Sequence, residues 1–207
     1  MIVTISGAGG AGKTTIAGWL LKLLPNSGMV PSYTTRASRS SDIPGEYIYI
    51  SKLKFKIFYI FGFFLWTVSP YGYSHGTAKK SVNKILKQDS SVGIMLLFGN
   101  TVGTLREYAK SRDREDRVVS FYVVSPPREI LKERLVNRGE NQESIERRLS
   151  DSHRQDSEAM SSDVPYIFIR NDETIDIVVD QIIKHISDHQ NDYLNKKLFG
   201  RSLGDKL

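Results

Sequence analysis

The chain has 207 residues, of which 40% are apolar, and a formal net charge of +6. This length fits one α/β domain with a small insertion and excludes a second full domain. The absence of cysteine excludes a disulfide framework and a thiolate metal site, so a cytoplasmic location is the simplest expectation. Met1 leads directly into an apolar strand without a charged segment or cleavage site, and we expect no export. The positive charge suits nucleic acid, membranes and phosphate-binding enzymes alike, so charge alone does not decide.

The first apolar run, residues 2–6, leads into a glycine-rich loop that ends in Lys13 and Thr14. This is the P-loop pattern, in which backbone N–H groups surround phosphate oxygens, the lysine reaches the terminal phosphates and the hydroxyl ligates Mg²⁺. The apolar periodicity that follows predicts a helix from near Lys13 to just before Pro25, which supplies the context that the motif requires. The predicted nucleotide-binding residues are Gly7, Gly10, Ala11, Gly12, Lys13, Thr14 and Thr15, with Thr14 also the metal ligand.

A polar stretch follows the first helix, from Ser32 to Gly45, and contains Arg36 and Arg39. Two arginines three residues apart among hydroxyl side chains suit an anion site, because a guanidinium holds phosphate through a planar fork of donors. A solvated loop is the alternative that these residues alone favour.

The most hydrophobic stretch comprises residues 57–68. It is too short to span a membrane, which requires about 20 apolar residues, and Lys54 and Lys56 lie at one end. We expect a buried or interface segment, with peripheral membrane contact as the alternative.

The rest of the chain alternates apolar runs with amphipathic segments. The expected strands cover residues 92–98, 118–124 and 164–169. The expected helices cover residues 104–111, 127–137, 142–160 with Asn141 as the cap, and a last amphipathic segment from 175. Residues 112–117 are expected to form a solvated loop.

Together these segments resemble the guanylate kinase family. The P-loop is followed at the expected distance by Ser32-Tyr33-Thr34-Thr35-Arg36-Ala37-Ser38-Arg39, and further similar motifs lie at 47–51, 63–66, 75–77, 125–127, 134–139, 145–149 and 171–172. The resemblance covers about residues 1–187 and implies an α/β P-loop NTPase three-layer fold with a parallel sheet. It also implies an acceptor-binding insertion at about 32–82 and a helical lid at about 134–158. We expect residues 188–207 to form a polar, basic tail that is frayed, disordered or an oligomer contact.

The same resemblance implies phosphoryl transfer from ATP, with Mg²⁺, to a nucleoside monophosphate, GMP or dGMP by default. In the family, the counterparts of Arg36, Arg39 and Tyr47 hold the acceptor phosphate. Those of Ser32 and Thr77 contact guanine. His75 occupies the place of a phosphate-contacting tyrosine and could donate to a phosphate, although a surface histidine without this role is equally compatible with its chemistry.

The resemblance also assigns roles to residues near the end of the domain. Arg138 and Arg148 match lid arginines that neutralise the transferring phosphoryl group, which makes them catalytic candidates together with Lys13. A surface helix with i,i+4 ion pairs is the alternative for this segment. Asn171 matches a loop that lies beside adenine, with a plain turn as the alternative.

Besides His75, three positions depart from the family pattern. Leu65 replaces a glutamate that accepts hydrogen bonds from guanine, and leucine can accept none. Leu96 and Phe98 lie where the family's strand carries aspartates, one toward guanine and one near the metal. The side chains expected to bind the acceptor phosphate are therefore retained, while the carboxylates expected to bind guanine are missing.

These departures leave three hypotheses for function. The first is a nucleoside monophosphate kinase, and the second is a kinase of another phosphorylated small molecule such as ribose 1,5-bisphosphate. The third is a non-catalytic guanylate-kinase-like binding module, which the intact Lys13 and Thr14 disfavour. We expect no nucleic-acid partner and no membrane span, and the sequence does not determine the oligomeric state.

Overall fold

The computed structural model describes residues 1–40, 42–88, 90–171 and 174–199. Ser41 of the polar stretch, Asp172 of the motif near the end and residues 200–207 of the expected tail lie outside this part. The strands are β1 (Ile2–Gly7), β2 (Ser27–Met29), β3 (Ser32–Thr34), β4 (Tyr47–Tyr49), β5 (Phe64–Val68), β6 (His75–Ala78), β7 (Val92–Leu96), β8 (Val118–Val124) and β9 (Tyr166–Arg170). The helices are α1 (Lys13–Leu23), α2 (Lys52–Ile60), α3 (Lys79–Lys87), α4 (Gly99–Lys110), α5 (Arg128–Asn137), α6 (Gln142–Met160) and α7 (Ile175–Phe199).

The main sheet has the strand order β2-β7-β1-β8-β9, and all four pairings are parallel. Strand β1 lies at the centre, where Ile2 pairs with Gly93 on one side and with Val118 on the other. Its residues are buried because helices cover both faces of the sheet, as is usual for parallel sheets. The predicted α/β fold with a parallel sheet is confirmed.

Two apolar clusters form the core, one on each face of this sheet. Helices α1 and α7 supply one cluster, with Leu20 and Ile182 fully buried, and helices α3 and α4 supply the other, with Val82 and Leu105 fully buried. Helix, sheet and helix therefore form the three layers that the sequence predicts.

A second, four-stranded sheet with the order β4-β3-β6-β5 lies within residues 32–78. Tyr33 on β3 is the centre of an aromatic cluster and meets the rings of Phe58, Phe63 and Phe64 edge-on at 5.8, 5.2 and 5.7 Å between centroids. These contacts fix α2 and β5 on one side of the small sheet.

Helices α5 and α6 form a hairpin that packs through Leu131, Leu135, Ile145 and Leu149. Gly139, with φ of 73°, provides the left-handed residue that ends α5. The side chain of Asn141 accepts a hydrogen bond from the Ser144 amide at 2.8 Å, so the predicted cap of α6 is confirmed.

Three expectations about local structure are wrong. Helix α4 begins at Gly99 rather than Thr104, because the Phe98 carbonyl accepts from both the amide and the hydroxyl of Thr101 and so starts the first turn. Arg117, expected in a solvated loop, is buried, with its guanidinium bonded to the Gln88 carbonyl and stacked 5.0 Å from the Tyr193 ring. Helix α7 is continuous to Phe199, so residues 188–199 are helical rather than frayed or disordered, while an oligomer contact there stays a prediction.

The hydrophobic stretch at 57–68 is divided between α2 and β5. Phe64 is buried, but Ile57, Ile60 and Phe61 are 44, 67 and 82% exposed. The expectation of burial is therefore wrong for these three, while an interface role stays a prediction. The reason is that α2 is apolar on two sides and only one of them packs on the small sheet. No helix within the described ranges is long and apolar enough to cross a membrane.

Candidate active site

The P-loop connects β1 to α1 at the carboxyl edge of the main sheet. Gly7 has φ of 142°, and a Cβ there would lie 2.3 Å from the Val123 carbonyl oxygen on the neighbouring strand. Gly12 has φ of 104° and immediately precedes the first residue of α1. Only glycine suits both positions, so the loop can turn tightly into the N-terminus of α1, where an anion is favoured.

Lys13 is the first residue of α1, and its side chain folds back along the loop. Its Nζ donates to the carbonyl oxygens of Gly7 and Ala8 at 2.7 and 2.8 Å. Burial, followed by the positive charges of Arg138 and Arg148, lowers the pKa of Lys13 to about 8. The lysine is thus held within the loop and near two arginines of the α5–α6 hairpin.

One cleft of about 420 Å³ joins the P-loop, the small sheet and the α5–α6 hairpin. The predicted site residues that line it are Gly7, Gly10, Gly12, Lys13, Thr14, Arg36, Arg39, Tyr47, His75, Arg138 and Arg148. These residues come from three separate parts of the chain, so the fold brings the two expected phosphate-binding regions to one shared space.

Five predicted site residues do not line this cleft. Ala11 is buried beneath the loop and Thr15 is exposed on α1. The hydroxyls of Ser32 and Thr77 lie 3.2 Å apart across β3 and β6, and Thr77 is fully buried. Asn171 donates from its side-chain amide to the Ala11 carbonyl at 2.8 Å, and this hydrogen bond stabilises the P-loop. Their predicted roles toward ligands stay predictions.

On the acceptor side, Arg36 is largely buried and its guanidinium lies 4.7 Å from the centre of the Tyr47 ring. Its two terminal nitrogens donate to the two oxygens of Asp42 at 2.9 and 2.8 Å. Asp42 also accepts from the Tyr49 hydroxyl at 2.6 Å and from the Arg39 amide at 2.8 Å. Burial alone would raise the pKa of Asp42, but the hydrogen bonds from Arg36 and Tyr49 lower it on balance.

His75 is buried rather than exposed, so the surface-histidine alternative is wrong. Its ring lies 5.8 Å from the Tyr47 ring and 5.7 Å from the Phe98 ring, and its Nε2 is 3.5 Å from the Thr34 hydroxyl. Burial, followed by the charges of Arg36 and Arg39, lowers the pKa of His75 to about 4. The imidazole is therefore neutral near pH 7 and can donate one hydrogen bond.

The α5–α6 hairpin lies directly over the P-loop. Arg148 pairs with Glu140, with 2.6 Å between Nε and the carboxylate, and its guanidinium is so close to Gly9 that a Cβ there would lie 2.3 Å from it. Arg134 donates to the carbonyls of Gly10 and Asn171 at 3.4 and 3.3 Å. These contacts place the cationic hairpin against the glycine-rich part of the P-loop.

A sequence model of the family described as guanylate kinase matches residues 1–190. The chain belongs to the guanylate kinase family. It is 32% identical to a guanylate kinase of Rickettsia typhi over 174 residues, which are 83% of this chain and 84% of that protein. It is 30% identical to a guanylate kinase of Symbiobacterium thermophilum over 174 residues, 83% of this chain and 78% of that one.

The same family likeness extends to the fold. The crystal structure of guanylate kinase from Anaplasma phagocytophilum superposes with a TM-score of 0.68 at 21% identity and covers 92% of this chain and 85% of that one. At this identity the match shows the shared fold and does not assign individual residues.

The donor set of this guanylate kinase fold is compatible with Mg²⁺. Thr14 lines the cleft in the first turn of α1, and a magnesium ion in a nucleotide site takes few protein oxygens besides phosphates and water. Among the residues that the structure describes, no cluster of three or more His, Cys, Asp or Glu could hold a metal ion by itself. Thr14 stays the predicted metal ligand, in combination with the nucleotide.

Sequence reasoning missed two acidic residues of the cleft, Asp42 and Glu46. Glu46 is buried, accepts a hydrogen bond from the Ile43 amide at 3.1 Å, and has a pKa raised mainly by burial. The sequence does contain a relevant signal: Asp42 lies six residues after Arg36 in the same polar stretch, and this spacing could have predicted an ion pair between them.

Proposed function

We propose that this protein transfers the γ-phosphoryl group of ATP to the phosphate of a nucleoside monophosphate, GMP or dGMP. The observation that carries the proposal is the shared cleft, which Lys13 and Thr14 line together with Arg36, Arg39 and Tyr47. An acceptor phosphate held by the arginines would lie opposite a triphosphate held by the P-loop. This arrangement of two anion sites is what phosphoryl transfer requires.

In the proposed reaction, an oxygen of the acceptor phosphate forms a bond to the γ-phosphorus. The bond from that phosphorus to the β–γ bridging oxygen breaks, and the electron pair leaves with ADP. Lys13 and the P-loop amides neutralise the charge that develops on the departing β-phosphate, and Mg²⁺ bound with Thr14 supplies further charge neutralisation when present. Protein groups thus act by positioning and electrostatics rather than by covalent chemistry.

Arg138 and Arg148 act on the transferring group from the α5–α6 hairpin, next to Lys13. Both lie close enough to Lys13 to lower its pKa, which shows that the three cations share one local field. Such a cluster is unfavourable until an anion occupies its centre, so its charge is available to stabilise the transition state. The pairing of Arg148 with Glu140 orients this guanidinium over the P-loop.

A second candidate is a kinase of another phosphorylated small molecule, such as ribose 1,5-bisphosphate. It is favoured by one observation, the uncharged side chains of Leu65, Leu96 and Phe98 where the family pattern has carboxylates. The relatives named above are guanylate kinases, and their likeness supports a nucleotide acceptor first. A cytoplasmic location stays a prediction from the cysteine-free composition.

The deciding experiment is a panel of acceptors, GMP, dGMP, AMP, UMP and ribose 1,5-bisphosphate, each incubated with the protein, ATP and Mg²⁺ while ADP release is measured. We expect turnover with a nucleoside monophosphate and none with ATP alone. Turnover confined to ribose 1,5-bisphosphate would transfer the assignment to the second candidate. No turnover with any acceptor, together with intact ATP binding, would favour a non-catalytic binding module.

A further inference from the structure

Helix α2 carries an exposed apolar surface, which we call the α2 outer face. It consists of Leu53, Ile57, Ile60 and Phe61, which are 69, 44, 67 and 82% exposed. The first three are spaced by four and three residues and therefore lie on one side of the helix, and Phe61 continues the surface at its C-terminal end. Contiguous large apolar side chains of this kind mark an interaction site more often than isolated ones do.

The apolar character of this face is not needed to hold the helix in place. On the opposite side of α2, Phe55 stacks on Phe64 with centroids 4.6 Å apart, and Phe58 stacks on Phe63 at 4.5 Å. These four rings fix the helix to the small sheet. Packing within this domain therefore does not explain the apolar character of the outer face.

The chain segment that carries the outer face has charges of one sign. Residues 47–88 contain seven lysines and no Asp or Glu, whereas the whole chain has a net charge of +6, so the remaining residues together carry −1. Lys52 and Lys56 are exposed on α2, and Lys79 lies at its C-terminal end, where Nζ donates to the Gly62 carbonyl at 2.9 Å. The positive charge of the molecule is thus concentrated in the segment that presents the apolar face.

We propose that the α2 outer face docks on an anionic membrane surface. Its apolar side chains would enter the boundary between headgroups and acyl chains while the lysines contact the anionic headgroups, which is how interfacial helices bind. A second copy of the chain fits less well, because a two-fold contact through this face would bring lysines against lysines with no acidic residue between them in 47–88. This inference does not depend on the catalytic assignment.

Vesicle flotation with the full chain tests the proposal. The two vesicle types are phosphatidylcholine alone and phosphatidylcholine with about one third phosphatidylglycerol. We expect the wild-type chain to partition at least about tenfold more strongly onto the anionic vesicles, and this preference to weaken with added salt. Equal partition, or no binding to either, would overturn the proposal.

Two pairs of variants distinguish binding through the α2 outer face from nonspecific binding to vesicles. Ile60→Ser with Phe61→Ser should lower partition onto anionic vesicles about tenfold or more, because two apolar anchors are lost. The matched control is Leu23→Ser with Leu194→Ser, two leucines that are each 50% exposed on other helices, and it should bind as the wild type does. Equal loss in both pairs would contradict the proposal.

The lysines are tested in the same way. Because their side chains are exposed, replacing them should not disturb the fold. Lys52→Glu with Lys56→Glu should weaken binding by at least about tenfold, whereas the exposed pair Lys110→Glu with Lys184→Glu, which changes the net charge equally, should weaken it far less. Sedimentation velocity on the same proteins tests the alternative, in which a second copy of the chain covers the face. A dimer that Ile60→Ser with Phe61→Ser dissociates, without vesicle binding, would assign the face to a second copy and overturn the membrane proposal.

Discussion

The carboxylate of Asp42 accepts two hydrogen bonds from the guanidinium of Arg36, at 2.8 and 2.9 Å. The two side chains are only 9 and 13% exposed, so water competes little for either of them. The Tyr49 hydroxyl donates a further hydrogen bond to the same carboxylate at 2.6 Å. Paired and stacked on Tyr47, the Arg36 guanidinium has one fixed orientation at the edge of the cleft.

From this geometry we predict that Asp42 positions Arg36 for the acceptor. Asp42→Asn removes the charge and one of the two matched acceptors, so the acceptor KM should rise by about tenfold while kcat changes little. Steady-state kinetics at saturating ATP measures this. The control is Asp151→Asn, which removes the ion pair to Arg154 on α6, away from Arg36. A lower acceptor KM in Asp42→Asn would instead show that Asp42 competes with the acceptor phosphate.

Lys13 is predicted to be essential for binding and transfer. Lys13→Ala should abolish turnover and weaken ATP binding, because the charge near the terminal phosphates is lost while the fold is retained. Calorimetric titration with ATP and a thermal melt measure both effects, with Lys22→Ala near the end of α1 as the control. Unchanged nucleotide affinity in Lys13→Ala would refute the assignment.

The lowered pKa of Lys13 predicts a pH dependence. The pKa is about 8 rather than 10.5, so the free enzyme loses this positive charge as the pH rises through about 8. Because the charged form binds phosphate, kcat/KM for ATP should fall above that pH, and kcat/KM reports ionisation of the free enzyme. The profile of Lys13→Arg should remain level over the same range, since a guanidinium stays protonated. A wild-type profile that is level through pH 8 to 9 would contradict the prediction.

Much of the fold follows from local sequence signals. The P-loop, β1, α1 and the Asn141 cap are each specified by neighbouring residues, so short-range rules suffice. The pairing of Arg36 with Asp42 depends on the path of a turn that periodicity does not describe. The burial of Arg117 depends on Tyr193, far along the chain on α7, which no local pattern reveals.

The exposure of α2 shows a different limit of sequence reasoning. Apolar residues on both sides of the helix indicate burial on average, but they do not show which side finds a partner inside the domain. Stacking of Phe55 and Phe58 within the aromatic cluster decides this, and it leaves Ile57 and Ile60 outside. Among the predicted site residues, Thr77 shows the same limit, because its burial depends on the pairing of β6 with β3.

Arg36 and Arg39 are predicted to act on the acceptor and not on ATP. Replacement of either by Ala should raise the acceptor KM by about tenfold or more, since a hydrogen bond to a charged group contributes about 1.5–3 kcal/mol. The KM for ATP should change little, because both arginines belong to the segment between β3 and β4 and not to the P-loop. The control is Arg114→Ala, in an exposed loop. An unchanged acceptor KM with a raised ATP KM would assign the arginines to the other substrate.

The last prediction concerns the choice of acceptor and rests on Leu65. A site that hydrogen-bonds a base rejects analogues strongly, because its own buried polar groups are otherwise left unpaired, and leucine offers no such group. Wild-type discrimination between GMP and AMP should therefore be weak. Leu65→Glu should increase kcat/KM for GMP relative to AMP, because a carboxylate can accept from the guanine N–H groups.

The measurement for Leu65 compares kcat/KM for GMP, dGMP, AMP, UMP and ribose 1,5-bisphosphate in the wild type and in Leu65→Glu. Leu65→Gln is the matched control, since it has nearly the same shape and an amide oxygen but no charge. A graded gain from leucine through glutamine to glutamate would show that the position reads the base. A wild-type preference for GMP above about a thousandfold would show that other residues read guanine, since a preference of that size requires polar groups matched to the base.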